Sequence, residues 1–133
     1  MRASRTRGLS LIEVAVGLAL LGVVASMALP SYQQQLARAK RAEAVGALTR
    51  LMMAQEEFRA HHGSYALRLQ TLHGLGEPLE HFDIGLVAAH SSAYIARATA
   101  RSTTPVEGGC QEITLSVADG HIMQGPSDHC WNR

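Results

Sequence analysis

Residues 7–29 read RGLSLIEVAVGLALLGVVASMAL, and this stretch decides what the rest of the chain can be. From Leu9 to Leu29 it holds 21 residues and a single charge, Glu13. A helix of about 20 apolar residues spans the hydrocarbon core of a bilayer. A carboxylate inside such a segment costs roughly 2.5–3.5 kcal/mol on insertion scales, and acids in these positions are rare and functional by default. The segment therefore reads as a membrane helix that carries a contact device, not as a plain anchor.

The flanks sharpen this reading. Residues 1–8 hold three of the chain's 12 Lys and Arg, namely Arg2, Arg5 and Arg7, and none of its 11 acids. A basic leader before a membrane helix stays in the cytoplasm, which places everything after Leu29 on the other side. Ser26-Met27-Ala28 weakly imitates an ordinary signal-peptidase site, but the apolar run exceeds the 7–15 residues of a signal-peptide core. Of the 133 residues, about 100 remain for one soluble domain of usual size. From Leu9 onward acids outnumber Lys and Arg by two. Such a mildly acidic body argues against general affinity for nucleic acid.

Arg7-Gly8-Leu9-Ser10-Leu11-Ile12-Glu13 resembles the class III leader of type IV prepilins and related pseudopilins. The resemblance implies that a prepilin peptidase cuts between Gly8 and Leu9 and that Leu9 is then N-methylated. The family usually carries Phe where this chain has Leu9, and Leu occurs there in some members. The apolar segment is retained as the first half of a long helix. Glu13 becomes the fifth residue of the mature chain, and its implied role is filament assembly through the N-terminal amine of a neighbouring subunit. Pairing relieves the penalty of a carboxylate in lipid only in the correct axial register.

The helix is expected to continue past Leu29. Pro30 removes one backbone hydrogen bond and predicts a kink, and Gly22 lowers local helix propensity. From Ser31 to His62 the residues again favour helix. Leu36, Val45, Leu48, Met52 and Phe58 recur at roughly helical spacing, with Ala39 and Ala42 between them. Arg38, Arg41, Arg50 and Glu57 fall mostly elsewhere around the wheel, which gives an amphipathic helix in need of a sheet. Gly63 is the stop signal. The whole helix would run about 50 residues, or roughly 80 Å. The segmentation is thus a leader at 1–8, a membrane and filament-core segment at 9–29, and a globular domain at 30–133. That domain divides into helix 31–62, connector 63–81, and sheet with cysteine loop 82–133.

The connector holds Gly63, Gly74, Gly76 and Pro78, with a short helical turn near 67–72. Strands are expected over 82–88 and 92–100. Ile113, Leu115 and Val117 alternate with Thr114 and Ser116 as a half-buried strand. Asp119-Gly120 is a hairpin signal, with a returning strand over 121–124. The fold class is α+β, a long helix packed on an antiparallel sheet of about four strands. With the resemblance, it is the type IV pilin fold with a C-terminal disulfide loop.

Ala54-Gln55-Glu56-Glu57-Phe58, His62-Gly63-Ser64-Tyr65 and the tail Cys130-Trp131 resemble PilE-type minor pilins within this superfamily. Cys110 and Cys130 are the two cysteines of the chain. In an oxidising periplasm a disulfide is their default reading. The sharper alternative is a metal held by Cys110, His121, His129 and Cys130, but that spacing fits no zinc pattern and adjacent His-Cys ligands suit one tetrahedral ion poorly. The seven histidines, with His61 and His62 at the helix end and His73, His81 and His90 in connectors or strand ends, form no Ser/His/Asp or Cys/His set. Neither an enzymatic role nor a cofactor is expected.

The reading is a minor pilin of a type IV pilus that supports assembly, twitching motility or adhesion. It would sit in the bacterial inner membrane with a cytoplasmic N-terminus and a periplasmic domain before entering the extracellular pilus. The implied partners are major and minor pilins, the prepilin peptidase, the inner-membrane assembly platform and, before assembly, the lipid bilayer. Two alternatives stay open. One is a type II secretion pseudopilin, although no Asp-rich calcium loop is evident. The other is a competence pilin that contacts DNA through Arg38, Lys40 and Arg41, which the acidic body and single Trp weigh against.

Overall fold

A computed structural model of the chain describes residues 10–102, 104, 106 and 108–133. The leader and the expected cleavage site at Gly8 and Leu9 lie outside the described residues. The chain divides into two compact units with the boundary between Leu36 and Ala37.

Helix α1 spans Leu11–His62, 52 residues assigned as helix without interruption through Gly22 and position 30. At its start the Glu13 and Val14 amides donate to the Ser10 carbonyl at 3.0 and 3.1 Å. At its end the Gly63 amide donates to the Arg59 carbonyl at 2.8 Å with φ at +74°. This left-handed terminus is where glycine is favoured, because other side chains are strained there.

Four strands follow: β1 Phe82–Ala89, β2 Ala93–Ala100, β3 Glu112–Ala118 and β4 His121–Gly125. They pair antiparallel in the order β1-β2-β3-β4, so every neighbour in the sheet is a neighbour in sequence. Short connections explain the order, since a hairpin needs no crossover. Asp119 and Gly120 both take positive φ, 51° and 81°, as a two-residue hairpin turn requires. The β1–β2 register shifts between Leu86 and Ala88, which leaves Val87 exposed. The long-helix, four-strand α+β fold expected from the sequence is the fold found.

Within the globular unit, α1 contributes Ala44, Ala47, Leu48, Leu51 and Ala54 to the core. Across from them lie Tyr94, Ala96 and Ala98 of β2 and Ile113, Leu115 and Val117 of β3. The expected helical stripe is corrected in phase. Leu36, Ala39 and Ala42 are exposed, whereas Arg41 and Gln55, both polar, are buried. Arg41 was expected on the polar side of the helix, and tertiary hydrogen bonds described below are what admit both side chains to the interior.

Candidate assembly and binding surfaces

In the N-terminal unit the apolar side chains face outward. Leu11 is 90 % exposed and Leu21 67 %. The helix contains an 18-residue window of mean hydropathy 2.2 with none of it buried, long and apolar enough to cross a membrane. Ser26 is satisfied locally, its hydroxyl donating to the Val23 carbonyl at 2.7 Å. Glu13 lies in the first turn and is exposed. An acid at that end is favoured by the helix dipole. An apolar surface of this extent on a helix needs a cover from outside the chain.

In the globular unit the first organising contact is Gln55. Its Nε2 donates to the Ala66 carbonyl at 3.1 Å, and its Oε1 accepts the Ala66 amide at 2.8 Å. One side chain thus satisfies both backbone groups of a buried connector residue, which pins the chain after α1 against the helix. The sequence showed Gln55 only as part of a motif, and no local pattern announced this pairing.

Tyr65 sits beside this clamp. Its hydroxyl donates to Glu56 Oε1 at 2.7 Å and accepts from Arg59 Nη1 at 3.0 Å. Burial raises its pKa, and the Glu56 hydrogen bond adds to the rise. The Tyr65 ring meets Tyr94 edge to face at 4.9 Å. The Tyr94 hydroxyl is buried with no hydrogen-bond partner among the described residues. Burial pushes its pKa strongly upward, since a phenolate there would lose its hydration.

Cys110 and Cys130 are bonded to each other with their Cα atoms 5.5 Å apart. The metal alternative drew on the same two sulfurs, and the bond leaves neither as a thiolate. The loop between them carries β3 and β4, and Cys130 itself sits in the 3-10 turn Asp128–Trp131. Trp131 is buried, and its indole N–H donates to the Gly125 carbonyl at 2.9 Å. Gly125 is paired with Thr114, and a Cβ at Gly125 would come within 2.9 Å of Thr114 Oγ1, so glycine is required by space.

The end of the chain is clasped to α1 by Asn132, which adopts a left-handed conformation at φ 58°. Its Oδ1 accepts from Arg41 Nε at 3.1 Å, and its Nδ2 donates to the Arg38 carbonyl at 3.3 Å. Arg41, expected on the polar side of the helix, is 4 % exposed as a result. Of the three cations assigned to DNA contact, Arg38 is exposed, Lys40 half-buried and Arg41 buried. Arg101 is drawn to Asp83 at 2.9 Å and Arg97 to Glu112 at 3.1 Å.

A long helix with an uncovered apolar half, a four-stranded antiparallel sheet and a disulfide-closed C-terminal loop define a pilin-type filament subunit. Two family models match the chain. Residues 3–29 match the prokaryotic N-terminal methylation motif. Residues 30–114 match a family described as type IV minor pilin ComP, DNA uptake sequence receptor. That match covers more than half of the sequence, and the chain belongs to this family of type IV minor pilins. It is a minor pilin of a type IV pilus, and its role is structural, in company with other pilus components.

Proposed function

We propose that the chain is cut between Gly8 and Leu9, is N-methylated at Leu9, and enters the pilus with Glu13 as its registry contact. The methylation-motif match over residues 3–29 carries this reading, because it contains the basic leader, Gly8, Leu9 and Glu13 together. Cleavage makes a cationic amine, methylation keeps its charge, and a carboxylate in lipid gains most from an opposite charge. The peptidase, the assembly platform and the inner membrane are the partners this route requires. The cytoplasmic leader and periplasmic domain follow from the arginines ahead of the apolar run. The chain's work is assembly rather than catalysis.

Glu13→Gln is expected to leave cutting at Gly8 intact and to lower recovery of the subunit in sheared pili about tenfold or more, on the scale of an intramembrane charge penalty. Immunoblots of membranes and pili from a strain lacking the wild-type copy make the comparison. Normal incorporation of the variant would falsify the registry role.

The family description favours a second reading, in which the pilus-borne subunit binds DNA. Fluorescence anisotropy of the full chain in detergent with labelled duplexes tests it across a salt series. Specific binding predicts discrimination between duplex sequences and a falling affinity as salt rises. Equal, negligible binding to every duplex at low salt would remove this reading.

A further inference from the structure

The clasp at Asn132 has a second effect, which is to gather cations. Arg38 and Arg41 lie three residues apart and so share one face of α1. The disulfide at Cys130, the buried Trp131 and the Asn132 hydrogen bonds hold the last turn against that face. Arg38, Arg41, His129, Asn132 and Arg133 then line one cleft of about 300 Å³. No Asp or Glu lines it, and among the described residues none of these four basic side chains is in a salt bridge. Asp128 of the same turn is exposed and is not part of the lining.

The arrangement is electrostatically incomplete. Among the described residues Arg41 is the most enclosed cation of the globular unit, and its Nε donates to a neutral amide. Buried charges are ordinarily paired, and the cations of Arg38, Arg41 and Arg133 around one cleft favour an anion there. Guanidinium forks match the oxygens of a phosphate group in paired hydrogen bonds. A cleft of this size admits a single phosphate group. Arg38 follows Leu29, the end of the apolar run, by nine residues in the sequence. Cationic side chains near the ends of membrane helices favour the headgroup level, where the aliphatic stem stays in apolar surroundings and the charge meets phosphate.

We infer that the Arg38–Arg41–His129–Arg133 cleft is an anion site that takes the phosphate headgroup of an anionic phospholipid. The clasped C-terminal turn completes the site, so a membrane-resident subunit carries a lipid contact that it must release on entering a filament.

Native mass spectrometry of the full chain, released from micelles containing equal phosphatidylglycerol and phosphatidylcholine, reads the preference directly. The expected result is preferential retention of one phosphatidylglycerol, with a loss of about fivefold in preference for Arg38→Gln or Arg133→Gln. Both side chains are exposed, so folding is not at issue. Arg68→Gln removes an exposed charge from the connector and is expected to leave the preference unchanged. Competition by millimolar inorganic phosphate supports the phosphate chemistry. Equal retention of the two lipids, or equal losses in all three variants, overturns the site. Binding of inorganic phosphate without any lipid preference overturns the lipid source. Displacement of the lipid by duplex DNA but not by phosphate assigns the cleft to DNA instead.

Discussion

The same residue types meet opposite surroundings in the two units of this chain. Leu20, Leu21 and Val24 are 63 %, 67 % and 66 % exposed, while Leu48 and Leu51 are fully buried and Val117 is 2 % exposed. The globular unit covers its own apolar surface. Among the described residues the apolar side chains of the N-terminal unit stay exposed. Burial of a leucine side chain is worth about 1.5–3 kcal/mol, so an uncovered stretch of this length stores a large potential gain for whatever covers it. Lipid covers it before assembly and other subunits cover it afterwards in the proposed route.

The sharpest way to break the comparison is to make one substitution in each unit. Leu51→Ala opens a cavity in the core and is expected to lower stability by about 3 kcal/mol. Leu20→Ala, equally a loss of three carbons, is expected to change stability of the globular unit by less than about 0.5 kcal/mol. Denaturant unfolding of the full chain in detergent, followed by the fluorescence of the buried Trp131, measures both. Equal losses would mean that the two units unfold as one.

Gln55→Leu tests whether the globular unit depends on buried polar pairing as well as on apolar packing. It leaves the Ala66 amide and carbonyl without partners, at a loss of about 2 kcal/mol. The same unfolding assay checks it, and faster proteolysis within residues 63–81 is the local signature. An unchanged midpoint would show that water replaces the clamp without penalty.

The smallest effect expected is at Tyr94. Tyr94→Phe removes a buried hydroxyl that has no partner and is expected to be neutral or to stabilise by up to about 1 kcal/mol. Its pH signature is clearer. The folded Tyr94 pKa lies above the unfolded value, so the unfolded chain releases this proton first. Stability is therefore full below about pH 10, the unfolded tyrosine value, and falls as pH rises beyond it. Tyr65, shifted in the same direction, contributes to the same alkaline loss. The variant should lose part of that alkaline slope, and an identical slope in both proteins would contradict the assignment to Tyr94.

Most of the fold was legible in the sequence because its signals are local. The β3 alternation of Ile113, Leu115 and Val117 and the Asp119-Gly120 turn each depend on a few adjacent residues. The hairpin order of the sheet then follows from short connections. The helix was legible in extent but not in phase. The sequence puts Arg41 on the polar side of the helix and shows Gln55 only within a motif, and the burial of both rests on partners elsewhere in the chain. The candidate cleft was half legible. Arg38 and Arg41 stood out as neighbours, while His129 and Arg133 belonged to a tail whose path no periodicity describes.

By itself the sequence determined the basic stretch ahead of the apolar run, the apolar run with its lone acid, and the two cysteines of the C-terminal loop. These are properties of composition and spacing, which hold before any packing forms. Only the tertiary structure decided which polar groups go inside and which cations meet. Arg41 and Asn132 are 91 residues apart and Arg38 and Asn132 are 94 apart, and nothing local encodes such pairs. Their meeting rests on the disulfide at Cys130 and the packing of the last turn against α1, which are tertiary contacts and not local ones.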